Sequence, residues 1–160
     1  MKTSIRILAA AVVALAACDR AITADEQQLV GTWRGDQHYS NAAGGGPTDA
    51  YPQLTFGRGG EYVAEYFSYG GYGRPANVLT SYNRQQGEYR LQGNVLQVRI
   101  LLERSQDAVY SEANYIREGD GKWLDAGTVE ISGDRLVHHY LTAPLDVPEP
   151  TTTTYTRVQG

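Results

Sequence analysis

The chain has 160 residues, the size of one domain, and carries 18 acidic against 14 basic side chains for a net charge of −4. A surface of that sign repels nucleic acid phosphates and gives no electrostatic footprint for such a partner. The single cysteine excludes an internal disulfide framework and any metal site built on several thiolates.

Lys2 and Arg6 precede an unbroken apolar run from Ile7 to Ala17. A positive start followed by a short apolar stretch is the order of a secretory signal peptide. The run is too short to cross a bilayer, which takes about 20 apolar residues. It ends Leu15-Ala16-Ala17-Cys18, and this tetrad resembles the lipobox of bacterial lipoproteins. The resemblance implies that residues 1–17 are removed and that Cys18 becomes an acylated first residue. Its diacylglyceryl and palmitate-type chains would then anchor the protein in a membrane of the cell envelope, facing the periplasm. Two or more chains make such anchoring stable. The aspartate that follows, Asp19, favours the inner membrane by the same resemblance, with the outer membrane as the alternative. The alternative is an ordinary signal peptide with a cysteine near its cleavage site. Residues 18–28 read as an acylated N-terminus and a polar tether, and residues 29–160 as the folded domain.

From Leu29 onward the pattern is β. Short alternating runs rich in tyrosine and β-branched residues are separated by Gly, Asn, Asp and Pro. The runs that read as strands are Val30 to Ser40, Gln53 to Phe56, Glu61 to Phe67, Val78 to Asn83 and Glu88 to Gln92. Beyond them come Val95 to Arg104, Ala108 to Glu118, Gly127 to Ser132, Arg135 to Thr142 and Thr152 to Val158. Gly93-Asn94 and Gly133-Asp134 sit between similar alternating runs 40 residues apart, where tight hairpin turns are expected. Two stretches read as long loops, Asn41 to Ala50 (NAAGGGPTDA) and Ser68 to Asn77 (SYGGYGRPAN). They are either adaptable contact surfaces or tolerated insertions.

Leu29-Val30-Gly31-Thr32-Trp33 opens the domain, and this Gly-x-Trp is similar to the lipocalin signature. Leu54-Thr55-Phe56 before Gly60-Glu61-Tyr62, Gly87-Glu88-Tyr89 before Gly93-Asn94, and Thr153-Thr154-Tyr155-Thr156-Arg157 at the end follow the same plan. The resemblance implies an all-β fold, an antiparallel up-and-down meander closing into a lipocalin-like β-barrel of about 8–10 strands. It also implies that Trp33 plugs one end and that Arg157 packs over its ring, a structural closure.

Alternation assigns the faces of the strands. Glu61 and Glu65 share a face with Val63 and Phe67, so Tyr62, Ala64 and Tyr66 point inward. Leu96, Val98 and Ile100 do the same, with Leu136, His138 and Tyr140 as their counterparts. The expected interior is aromatic and partly polar: Tyr39, Tyr62, Tyr66, Tyr89, His138 and Tyr140. Either these rings line a site for a small, partly apolar ligand, or they fill the barrel with their own bulk. His138 and His139 face opposite ways on a strand and His38 is remote, so no metal ligand set is expected, and no cofactor motif is present. Glu103, Asp107, Glu112 and Glu118 read as a solvated face. The functional expectation is a non-enzymatic envelope protein that binds a small ligand. The alternative is a protein-interaction module, such as a barrel inhibitor of a secreted hydrolase, acting through the glycine- and tyrosine-rich loops.

Overall fold

Alternating sequence becomes a meander of hairpins whose ends meet. A computed structural model describes residues 20–36, 49–142 and 148–159. Cys18 and its neighbours, His38, Tyr39 and most of the Asn41 to Ala50 stretch therefore lie outside the described residues. The strands are β1 (Gly31–Gly35), β2 (Asp49–Phe56), β3 (Glu61–Gly71), β4 (Arg74–Gln92), β5 (Val95–Asp107), β6 (Tyr115–Glu118), β7 (Trp123–Ser132), β8 (Arg135–Thr142) and β9 (Glu149–Arg157). Every pairing is antiparallel. β1 joins β2 on one side and β9 on the other, and β4 joins β5, so eight strands close a barrel of the lipocalin-like kind. β6 stays outside this ring and, among the described residues, pairs only with the second half of β5.

The two expected hairpin turns form at Gly93-Asn94 and Gly133-Asp134. Gly93 and Gly133 take φ of 62° and 58°, so glycine supplies the positive φ that a two-residue hairpin turn needs. Faces follow the alternation. Trp33, Leu54, Phe56, Tyr62, Tyr89, Leu96, Val98, Val129, Leu136 and Tyr155 form one buried cluster, with Ala64 and Ile100 packed against it. On the outside, Tyr51, Phe67 and Tyr82 form a ladder across β2, β3 and β4 with centroid spacings of 5.0 and 5.1 Å, and Arg34 lies 3.7 Å over Tyr51. Cross-strand aromatic pairs of this kind hold neighbouring strands in register.

Four expectations are corrected. The polar run Arg84-Gln85-Gln86-Gly87 does not break the chain into two strands: β4 runs unbroken from Arg74 to Gln92. Its partners on β3 and β5 continue through that run, and a single bulge at Gln86/Gly87 absorbs the irregularity. Ser68 to Asn77 is not a long loop but a hairpin tip, with β3 and β4 meeting at a two-residue turn, Tyr72-Gly73. Both turn residues have positive φ, and the Thr80 hydroxyl donates to the carbonyls of Ser68 and Gly70 to hold the stem. Ala108 to Glu118 is not one strand. The Asp107 carboxylate accepts from the amides of Val109 and Tyr110, and Asn114 bonds back to Asp107 and Ser111, so side chains replace the ladder until β6.

The fourth correction is at the N-terminus. The polar segment read as a tether is folded from Arg20 on, and Ala24–Leu29 form a short helix, α1. Thr23 and Glu26 make a reciprocal capping box: the Thr23 hydroxyl accepts from the Glu26 amide and the Glu26 carboxylate from the Thr23 amide. The same carboxylate accepts the Leu91 amide of β4 at 3.0 Å and both terminal nitrogens of Arg20 at 2.7 and 3.1 Å. Arg20 in turn donates to the Tyr89 carbonyl. Helix and barrel are thus stitched together by one buried carboxylate.

Candidate functional site

The two ends of the barrel are built from different materials. At the α1 end, Trp33 is fully buried and its indole N–H donates to the Leu29 carbonyl at 2.7 Å. Arg157, opposite Trp33 in β9, lies 4.0 Å over the ring, donates to the carbonyls of Gln28 and Val30 and pairs with Asp134. The guanidinium therefore serves the C-terminal carbonyls of α1 and the face of the indole together. Glu26 is 1% exposed. Burial alone would push its carboxyl up, but the bonds from Arg20, Thr23 and Leu91 outweigh it and bring the pKa down to about 2.

Tyr62 and Tyr89, two of the expected ligand residues, belong to this closed end. Phe56 sits between them, at 5.7 Å from Tyr62 and edge-on to Tyr89 at 4.9 Å. The Tyr89 hydroxyl donates to the Gly57 carbonyl, and burial pushes its pKa up to about 12. Burial raises Tyr62 and Tyr155 further still. These rings pack the core. Tyr66 lies further along the same face of β3, half-buried, opposite Pro52 and Asn83.

Towards the other end the wall parts. The β7–β8 ladder stops at Thr128 opposite His139. Beyond that pair, Trp123 to Asp125 follow β5, while Tyr140 to Thr142 follow β9. Gly127 marks the point of closest approach: with φ of 113°, a Cβ there would fall 2.1 Å from the His139 carbonyl oxygen. Where the strands separate lies a cleft of about 530 Å³, lined by Asp125 to Thr128 on one bank and by His139 to Leu141 and Pro150 to Thr152 on the other. That volume is within the range of small-molecule sites, roughly 300–1,000 Å³. Leu141, on the β8 bank, is 68% exposed, an apolar side chain that the fold does not cover.

His138 and Tyr140 are the pair of expected residues that the structure does bring together. They stack at 4.8 Å between ring centroids, two residues apart on one face of β8. A bulge at Ala126 turns its carbonyl out of the ladder and towards His138 Nε2, at 2.6 Å. A carbonyl only accepts, so Nε2 carries the proton. Burial pushes the imidazole below its ordinary pKa, outweighing the Ala126 bond, and His139 adds to the effect. The ring is therefore neutral at pH 7, with Nδ1 left as an acceptor. The Tyr140 hydroxyl pairs with Thr153 at 3.1 Å, and Thr151 pairs with Thr142 at 2.8 Å, so a ladder of hydroxyls continues along β8 and β9. Tyr140 also lines the cleft.

Sequence reasoning missed three features here. Asp125-Ala126-Gly127 and the Thr151 to Thr154 run were legible as a glycine inside a strand and as alternating hydroxyls, but neither showed that two strands part beside them. On the inner face of β5, Glu103 gathers Gln85, Tyr115 and Arg117 at 3.4, 3.1 and 2.7 Å. Burial raises that carboxyl, yet the three donors together hold it below its usual range. Asp107 is spent on the turn after β5. Among the described residues no three His, Cys, Asp or Glu side chains gather where they could hold a metal ion, and no helix is long and apolar enough to cross a membrane. No protein-family profile matches the chain, and no curated protein matches its sequence.

Proposed function

We propose that the protein is a lipid-anchored protein of the bacterial cell envelope, facing the periplasm, that binds a small, partly apolar ligand non-covalently in the cleft between β7 and β8. The parting of the barrel wall beside the His138–Tyr140 stack carries the binding reading. It supplies a volume, the flat face of Tyr140, the uncovered Leu141 and the hydroxyls of Thr151 and Thr152. A ligand with a planar apolar part and a hydrogen-bond donor on its edge fits that set. The reading is of a binding protein and not of an enzyme. The anchor rests on Leu15-Ala16-Ala17-Cys18, and the inner membrane on Asp19.

Native mass spectrometry of the protein released from its host membrane in detergent tests the binding. A small-molecule adduct is expected on the wild type and not on Tyr140→Ala. A wild type without adduct, also after incubation with a lipid-soluble extract of the host envelope, would overturn the reading.

A second reading, an interaction module for an envelope protein such as a secreted hydrolase, draws on the hairpin tip. Tyr72 and Tyr110 meet edge-to-face at 5.8 Å and are 45% and 47% exposed, with Leu79 and Val109 exposed beside them. Tyr72→Ser with Tyr110→Ser should abolish pulldown of a partner, with the fold intact by circular dichroism. Pulldown that survives the double change would exclude the tip as the interface.

A further inference from the structure

The connection between Cys18 and the folded domain is very short. Arg20 is already part of the fold, held by two bonds to the buried carboxylate of Glu26 and one to the Tyr89 carbonyl. Its side chain also lies against the β2–β3 turn, where a Cβ on Gly60 would fall 2.9 Å from Arg20 Nε. Asp19 alone separates Arg20 from Cys18. A fully extended chain covers at most about 3.6 Å per residue, which keeps the Cα of Cys18 within about 7 Å of that of Arg20. Acyl chains on Cys18 would be sunk in the bilayer, and no free tether is left to lift the barrel away.

We propose that the closed end of the barrel, around α1 and the β2–β3 turn, rests directly on the phospholipid headgroups, and that the hairpin tip points away from the membrane. The inference depends on the acylation of Cys18 argued above and adds an orientation to it.

The charge distribution fits this docking. The protein is acidic as a whole, but the closed end is mixed. Arg20 pairs with Glu26 and Arg157 with Asp134, while Arg58, Arg135, Asp25 and Glu61 add charges of both signs in equal number. Headgroups therefore meet no acidic face there. The exposed apolar residues of the tip lie at the opposite end of β3, β4 and β5. β4 spans 19 residues, which at about 3.3 Å each is roughly 60 Å of strand between the two ends. A barrel held at α1 presents Tyr72 and Tyr110 to the periplasm.

The chain's lone cysteine makes a direct test possible, because acylation consumes it as a thioether and any introduced cysteine is then the only free thiol. The full chain is expressed with its signal as Arg58→Cys or Ala76→Cys, and the purified acylated protein is labelled with a small fluorophore. It is then placed in phosphatidylethanolamine–phosphatidylglycerol vesicles containing a headgroup spin-labelled lipid. Quenching is expected to be several-fold stronger at position 58 than at position 76. Adding Arg20→Ala and Glu26→Ala, which frees the segment before α1, is expected to narrow that difference. An N-terminal peptide without acyl mass would overturn both the anchor and the orientation. Acylated protein quenched equally at both positions would overturn the orientation alone.

Discussion

The α1 end and the β7–β8 cleft use the same residue types to opposite effect. At the α1 end the fold consumes the polar groups that meet the helix and the barrel plug. The Trp33 indole serves Leu29, Arg157 serves the end of α1, Tyr89 serves Gly57, and Glu26 satisfies Arg20, Thr23 and Leu91 together. At the cleft β7 and β8 stop pairing and Leu141 stays uncovered, while the buried His138 beside it spends Nε2 on the Ala126 carbonyl. The contrast separates closure from opening: the Tyr89 ring packs edge-on to Phe56, while the Tyr140 ring, stacked on His138, lines a gap.

The largest break in this comparison should come from Trp33→Ala. Deleting a fully buried ring costs about 3–5 kcal/mol, and the Arg157 guanidinium would lose the surface it covers. Urea denaturation should show the loss, with cleft variants far less affected.

Glu26 gives the next effect and a distinct pH signature. Its pKa in the fold is about 2, against an ordinary value near 4.5. A depressed carboxylate stabilises fully above its unfolded value, and that contribution disappears as pH falls from about 5 towards 2, amounting to up to about 3 kcal/mol. Glu26→Gln should be less stable than the wild type at pH 7, and the two should converge near pH 2 in denaturation curves taken across that range.

Tyr140→Ala is expected to cost only about 1–2 kcal/mol, since the ring is half-buried, yet to abolish the ligand adduct. Loss of stability comparable with Trp33→Ala would make Tyr140 a core residue and erase the distinction. The smallest effect concerns the tip. Tyr72 takes φ of 51°, a left-handed conformation that disfavours a bulky side chain by roughly 1–2 kcal/mol. Asparagine tolerates it better, and Tyr72→Asn should raise the melting temperature slightly despite the lost contact with Tyr110.

Much of the fold was legible because period-two alternation carries the face assignment within a strand. Tyr62, Leu96, Val98, Leu136 and His138 could be placed inward from their neighbours alone. The Gly-Asn and Gly-Asp turns were legible because positive φ leaves a residue signature. Thr23-Ala24-Asp25-Glu26 also carried its capping box openly, but a short helix at the end of a polar segment is easily read as a tether. What the sequence did not disclose were the long-range facts. Arg84 to Gly87 looks like a turn until β3 and β5 are seen pairing on both sides of it. Tyr62 and Tyr140 look alike by alternation, and only the end of the β7–β8 ladder at Thr128 tells a packed ring from one beside an opening.

Amide hydrogen exchange, resolved by residue with and without the co-purified ligand, tests the difference between the two ends most directly. Amides around Trp33, Tyr89, Leu96 and Leu136 should exchange only with global unfolding. Within Trp123 to Asp125 and Tyr140 to Thr142, the amides that point into the gap and not to β5 or β9 should exchange fast in the free protein and slow markedly when ligand is bound. Equal protection at both places, unchanged by ligand, would contradict the division into a closing end and a binding cleft.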